Sequence, residues 1–350
     1  MILLINQAHF LGASPYIQEQ YPSMASSRLV MASLLGRKGP ARLRPPGATV
    51  AAACRGLSTA AGALADNEVA LSILAAPVTA MDVGKKNPTG VEGVGVVTAV
   101  GSKVRGFAVH DWAVPTSGSV PTFCSAAKAK ENELAKVPSD IPVEFAACMG
   151  TALTALRLLA GLKKGDFVLQ ADADSPVGLA VVQIAQARGV GTINIVVDGP
   201  GFWDKISLIK DLGGDVVVSD TYAREDPGFS SIMGELPKPT LALAATEAGV
   251  ALASKCGGGA KVVNHNTGGS GLLKASAAEI EAAAGLFRSE ALQLWVERHP
   301  YSDLSVALKE AAEPFKTRRV VLVMSEVPKP QVDEAKLRED FEKLFQRLRA

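Results

Sequence analysis

The sequence predicts an α/β protein in which a compact, largely β domain is followed by a doubly wound parallel sheet. Three observations carry this. Residues 26–150 hold short β-type runs broken by Gly and Pro. From residue 151 to about 265, strand and helix patterns alternate, which argues for parallel strands with helices on both faces. From about residue 270 the chain returns to helices and one further buried strand.

In the first zone the β-type runs are Glu68–Leu74, Gly93–Val100 and Trp112–Pro115. In the second, a helix over Ala152–Leu162 precedes an apolar strand at Phe167–Gln170. The series continues as helix Val177–Arg188, strand Thr192–Val197, helix Ile206–Leu212, and strands Val216–Val218, Leu241–Ala245 and Lys261–Val263. In the third, Ser276–Phe287 and Leu304–Ala312 read as helices and Arg319–Met324 as a buried strand. Pro328 and Pro330 then stop the pattern. Leu337, Phe341, Leu344, Phe345 and Leu348 recur at helical spacing, so 326–350 reads as an amphipathic helix. The expected organisation is an arm over 1–25, a β domain over 26–150 completed by about 302–325, a parallel-sheet domain over 151–301, and the terminal helix.

The net charge of +1 excludes nucleic acid and an anionic membrane as main partners on electrostatic grounds. No apolar run reaches the roughly 20 residues that span a bilayer, so any membrane association is peripheral. Cys54, Cys124, Cys148 and Cys256 form no CxxC pair. None stands at metal-ligand spacing to His9, His110, His265 or His299, so free thiols and no metal are expected. From Gln20 to Ala65 there is no acidic residue, while Arg28, Arg37, Lys38, Arg42, Arg44 and Arg55 are basic. That is transit-peptide composition. In the competing reading Arg28–Met31 opens the first strand and Gly36–Pro40 turns it.

Four segments in order carry a family resemblance. They are Ala75–Asp82, Glu92–Val100 through to Asp111–Pro115, Gly165–Gln170 with Pro176–Ala185, and Thr192–Pro200. Together they resemble the zinc-free mitochondrial 2-enoyl thioester reductases of the medium-chain dehydrogenase/reductase superfamily. The resemblance implies a GroES-like β domain and a Rossmann-type nucleotide-binding domain. It implies a cofactor pyrophosphate at the turn Ser175-Pro176-Val177-Gly178, a ribose or 2′-phosphate near Asp198 and Lys205, and a substrate loop bearing Thr79 and Asp82.

Against that family pattern the chemistry looks damaged. Pro176 stands in place of a glycine and has no N–H to offer a phosphate. Asp172 and Asp174 add negative charge there. A like charge at roughly 4 Å costs about 4 kcal/mol at an effective dielectric near 20. The same residues suit a helix start, with Asp174 or Ser175 as cap and Pro176 in the first turn. Val197 and Gly199 replace basic residues expected to clamp a 2′-phosphate. The loop Val83–Val91 lacks the proton-donating tyrosine that the family places there, and Lys85 and Lys86 read as solvated. His265 reads as a loop histidine.

Two functions are therefore expected. The first is a catalytically degenerate accessory subunit of a mitochondrial assembly, possessing no cofactor, with Thr79, Asp82, Ser175, Pro176, Val177, Gly178, Asp198 and Lys205 vestigial. It would dock on other protein subunits, as of a respiratory-chain complex, through the arm and the terminal helix. The alternative is an active NADPH-dependent 2-enoyl-thioester reductase of mitochondrial fatty-acid synthesis. A quinone-reductase-like activity is a third, weaker option.

Overall fold

The structure is a computed structural model that describes residues 4–5, 64–79, 81–266, 271–272, 274–313 and 317–324. The expected first strand at Arg28–Met31, the transit-type segment and the terminal helix lie outside the described residues.

Two sheets organise the chain. The first contains β2 (Glu68–Pro77), β3 (Val94–Val100), β4 (Trp112–Pro115), β5 (Ala126–Lys130), β6 (Leu134–Val137), β12 (Val296–Pro300) and β13 (Arg319–Val323). Its order is β12-β13-β2-β3-β4-β6, with β5 also paired to β2. Strand β2 alternates in burial over its first half and is continuously buried over its second. The change falls where Ala75, Ala76 and Pro77 pair with β13 and Leu74 and Ala75 enter the core between the lobes. β12 joins this sheet at residue 296, earlier than the expected boundary near 302.

The second sheet has the order β1-β9-β8-β7-β10-β11. Its strands are β1 (Leu4–Ile5), β7 (Phe167–Ala171), β8 (Gly191–Val196), β9 (Val216–Ser219), β10 (Leu241–Ala244) and β11 (Lys261–Asn264). All pairs are parallel except β1 with β9. Counted from β7 this is the order 3-2-1-4-5 of a doubly wound sheet, and the chain reverses direction between β7 and β10. The helices are α1 (Val143–Ala147), α2 (Met149–Leu158), α3 (Pro176–Arg188), α4 (Phe202–Asp211), α5 (Asp220–Glu225), α6 (Pro227–Glu235), α7 (Glu247–Cys256), α8 (Ala277–Arg288) and α9 (Leu304–Ala311).

Local chemistry sets the ends of these helices. Ser175, Ser219, Asp226, Thr246 and Ser276 each accept a backbone N–H at a helix start. Gly189 closes α3 in the left-handed conformation at φ 69°. One apolar core runs from Val94 and Val114 of the first sheet through Met149 and Leu153 of α2. It continues to Val168 of the parallel sheet, Ala180 and Ile184 of α3, and Ile280 and Phe287 of α8. Burial of this kind contributes about 25 cal/mol per Å² of apolar surface and ties the two lobes into one body. No helix among the described residues is long and apolar enough to cross a membrane.

Candidate functional site

Ligands of doubly wound sheets bind beyond the carboxyl ends of the strands at the point of reversal. Here that point is the junction of β7, α3, β10 and α7. After β7 the chain turns through Asp172 at φ 63°, a left-handed conformation rare for a residue with a Cβ. The turn pays for itself in contacts. Asp172 Oδ2 accepts from Ala245 N, Thr246 N and Thr246 Oγ1, each at 3.0 Å. A Cβ on Gly249 would collide with this carboxylate, so only glycine leaves it room. Asp172 thus fastens the end of β7 to the N-terminus of α7, where the helix dipole favours a negative group.

Next in the turn, Ser175 caps α3 by accepting from Gly178 N at 3.1 Å, and Pro176 occupies the first helical position. The Val177 N–H belongs to the same first turn, where helical amides lack intrahelical partners. Gly178 permits close helix–strand packing, since a Cβ there would lie 2.5 Å from the Ala173 carbonyl oxygen. Asp174 is buried and accepts from Lys205 Nζ at 2.7 Å, and both side chains are at least nine-tenths enclosed. This corrects two expectations at once. The Asp174 charge is neutralised inside the protein, and Lys205 is directed at Asp174 instead of at a phosphate. Asp172 keeps its charge, with three neutral donors holding the carboxylate at the N-terminus of α7.

At the end of β8, Asp198 is exposed and donates its N–H to Asp220 Oδ1 at 2.8 Å. Beyond it, Cβ atoms on Gly199 or Gly201 would meet nothing within 4 Å, so open space lies beside Asp198. Trp203 is 56% exposed at the start of α4.

In the first lobe, the substrate-loop residues form a closed turn. Asp82 Oδ2 accepts from Thr79 N at 3.0 Å and Thr79 Oγ1 at 2.7 Å, and Asp82 N donates to Thr79 O. Both residues are buried, and Asp82 Oδ1 has no hydrogen-bond partner. Because its proton goes to Asp82, the Thr79 hydroxyl faces any ligand as an acceptor. Lys85 and Lys86 are exposed. Tyr301 packs with Val78 and Phe123 but its hydroxyl donates to the Phe123 carbonyl at 2.8 Å. Tyr222 lies on α5 against Phe229.

At the junction of the lobes, Glu92 Oε2 meets Arg319 Nη2 at 3.3 Å. Gly150 stands against the same carboxylate, and a Cβ there would lie 2.8 Å from Oε1. Burial pushes the neighbouring Cys148 thiol up to about 12, which keeps it protonated and inert. His265 donates its backbone N–H to Ala244 O. Burial pulls its imidazole down to about 4, against an opposing pull from Asp172.

Sequence reasoning missed the Asp172–α7 contact, the Asp174–Lys205 pair and the Glu92–Arg319 pair. Each joins residues far apart in the chain, 31 positions for Asp174 and Lys205 and 227 for Glu92 and Arg319, so no local pattern marks them.

The fold and the crevice define a two-lobed α/β protein in which a mainly antiparallel sheet packs beside a doubly wound parallel sheet. The chain is similar to mitochondrial enoyl-[acyl-carrier-protein] reductase of Dictyostelium discoideum, at 38% identity over 196 residues, which is 51% of this chain and 56% of that one. To the enzyme of the same name from Homo sapiens it is 36% identical over 196 residues, or 52% of each chain. The chain spans about half the length of the curated relatives it matches. Among solved structures, an enoyl thioester reductase from Candida tropicalis superposes with a TM-score of 0.62 at 16% identity, over 76% of this chain and 93% of that one. Etr1p in complex with NADP and crotonyl-CoA does so at 0.59 and 17%, over 75% and 92%. No family model matches.

The relatives bear out the expected family resemblance and a mitochondrial protein. The expectation of no cofactor is overturned: the relatives are named as reductases, and a solved structure of this fold holds NADP. The same findings favour the reductase alternative over the degenerate accessory subunit.

The residues of the crevice fit a dinucleotide. The close packing at Gly178, the exposed carboxylate of Asp198 some 20 residues further on and the open space beside Gly199 meet the demands of such a site. The pairing of Asp174 with Lys205 neutralises one of the two charges that argued against it.

Proposed function

We propose that this chain is an NADPH-dependent reductase of 2-enoyl thioesters. The observation that carries the reading is the point of reversal between β7 and β10, with Gly178 at the helix start and Asp198 exposed at the next strand end. The names of the relatives supply the substrate class.

NADPH, when bound, supplies a hydride for the β-carbon of the enoyl thioester. The Val177 N–H at the start of α3 would face its pyrophosphate, while the Gly178 N–H is held by the Ser175 cap and Pro176 has none to offer. Asp198 would accept from the 3′-hydroxyl of the adenosine ribose, since the 2′ position of NADPH carries phosphate. Thr79, locked as an acceptor by Asp82, would hold a hydroxyl of the ligand rather than donate to the thioester carbonyl. Tyr301 donates elsewhere, so the proton for the α-carbon comes from solvent entering between the lobes. A reaction with a solvent proton in place of a positioned acid forgoes about 10²–10⁴-fold in rate.

The test is incubation of the purified chain with crotonyl-CoA and NADPH, following nucleotide oxidation and the mass of the thioester. Stoichiometric butyryl-CoA formation is expected, with quenching of tryptophan fluorescence on NADPH addition. No butyryl-CoA above a heat-inactivated control, at enzyme concentrations approaching those of substrate, refutes the proposal.

A further inference from the structure

Away from the crevice, the edge of the first sheet assembles a group of side chains that no part of the reductase reading uses. Glu297 and His299 lie two apart on β12 and so share one face of the strand. The chain then turns through Tyr301–Asp303 into α9, which folds back on β12 and β13 and brings Glu310 to that face. One ligand atom from each of the three residues lies within 4.8 Å of the other two. Arg298, on the opposite face, is drawn off to Glu144 at 2.7 Å and brings no cation to the group.

The closest approach is informative. His299 Nε2 and Glu310 Oε2 stand 2.6 Å apart, and both atoms are closed to solvent. Yet neither is aligned as a hydrogen-bond partner of the other or of anything else. Two lone-pair-bearing atoms cannot share a dry space at that distance without a positive centre between or beside them. A misaligned proton serves poorly. A cation bound by one imidazole nitrogen and two carboxylate oxygens, at about 2.0–2.2 Å, uses each of these atoms as a ligand. His299 also lines a cavity of about 610 Å³ with Tyr301 and Met324, which supplies the entry path such a site needs.

We propose that Glu297, His299 and Glu310 form a binding site for a divalent transition-metal ion with nitrogen and oxygen preference, of which Zn²⁺ is the probe. Three protein ligands leave one position for water or an exogenous donor. The ion joins the outermost strand of the sheet to α9. This departs from the sequence-based expectation of no metal, which weighed histidine against cysteine spacing and left the glutamates out.

The experiment uses the full chain, stripped with chelator and titrated with Zn²⁺ by calorimetry, beside His299→Ala and Glu310→Gln. The wild type is expected to take up one equivalent that both variants lose or bind more than about tenfold more weakly, since loss of outer-shell partners alone costs that much. Zn²⁺ should raise the melting temperature of the wild type alone. Cobalt substitution should give visible absorption with no thiolate charge-transfer band, separating this site from cysteine binding. Circular dichroism verifies that each variant is folded, and Glu297→Gln replaces either one that is not. Equal zinc uptake by wild type and folded variants, or a thiolate band, overturns the proposal and leaves an ion pair only.

Discussion

Lys205 reaches from α4 to place its ammonium 2.7 Å from the buried carboxylate of Asp174. The pair spans two crossover units and closes the floor of the turn before α3. Removing one partner strands the other as a buried charge. Lys205→Met is expected to lower stability by about 3–5 kcal/mol in urea unfolding, while Asp174→Asn with Lys205→Met recovers most of the loss. A double variant no more stable than the single one would contradict the pairing.

Asp172 fills the N-terminus of α7 with its own carboxylate. In Asp172→Ala three donors lose their acceptor, and the backbone keeps a strained φ. A stability loss of about 2–3 kcal/mol is expected. The freed amides become available to a ligand's anionic group, so NADPH should bind several-fold more tightly by fluorescence titration. Weaker binding in a folded variant would show that the contact shapes the crevice instead of competing for it.

His265 gives a pH signature. Burial holds its imidazole at about 4, against about 6.5 for a free imidazole. Between those values the unfolded chain binds more protons than the folded one. Its contribution to stability is therefore full above about 6.5 and lost as pH falls towards 4, by at most about 3 kcal/mol. His265→Gln should flatten the dependence of melting temperature on pH over that window. An unchanged slope would assign the acid sensitivity to other groups.

Thr79 and Asp82 test the substrate loop. Thr79→Val removes one hydrogen bond to Asp82 and the acceptor offered to a ligand. It should lower kcat/KM for crotonyl-CoA by about tenfold, with stability reduced by about 1 kcal/mol. Asp82→Ala strips two hydrogen bonds from the loop and should cost stability as well as activity. Unaltered kinetics in Thr79→Val would place the loop outside the site.

Much of the fold was legible because local hydrogen bonding follows local sequence. The run Phe167–Gln170 became β7, ending one residue later, and Val177–Arg188 became α3 once Pro176 was counted as its first residue. The strands at 126–130, 134–137 and 296–300 were not legible. β12 in particular, Val-Glu-Arg-His-Pro, has three partly exposed and two exposed positions, with no apolar alternation to mark it. At the site, Ser175, Pro176 and Gly178 were readable as a helix start, whereas the partners of Asp172, Asp174 and Lys205 were not.

The sequence alone determined most strands of the parallel sheet, the start of α3, and the likeness to mitochondrial enoyl reductases. Those properties depend on apolar spacing and on residues within a turn of one another. Only the tertiary structure decided which charges meet: Lys205 with Asp174, Asp172 with α7, and His299 with Glu310. Coulombic and hydrogen-bond energies depend on distance through space, and the crossovers of the sheet set that distance between residues far apart in the chain.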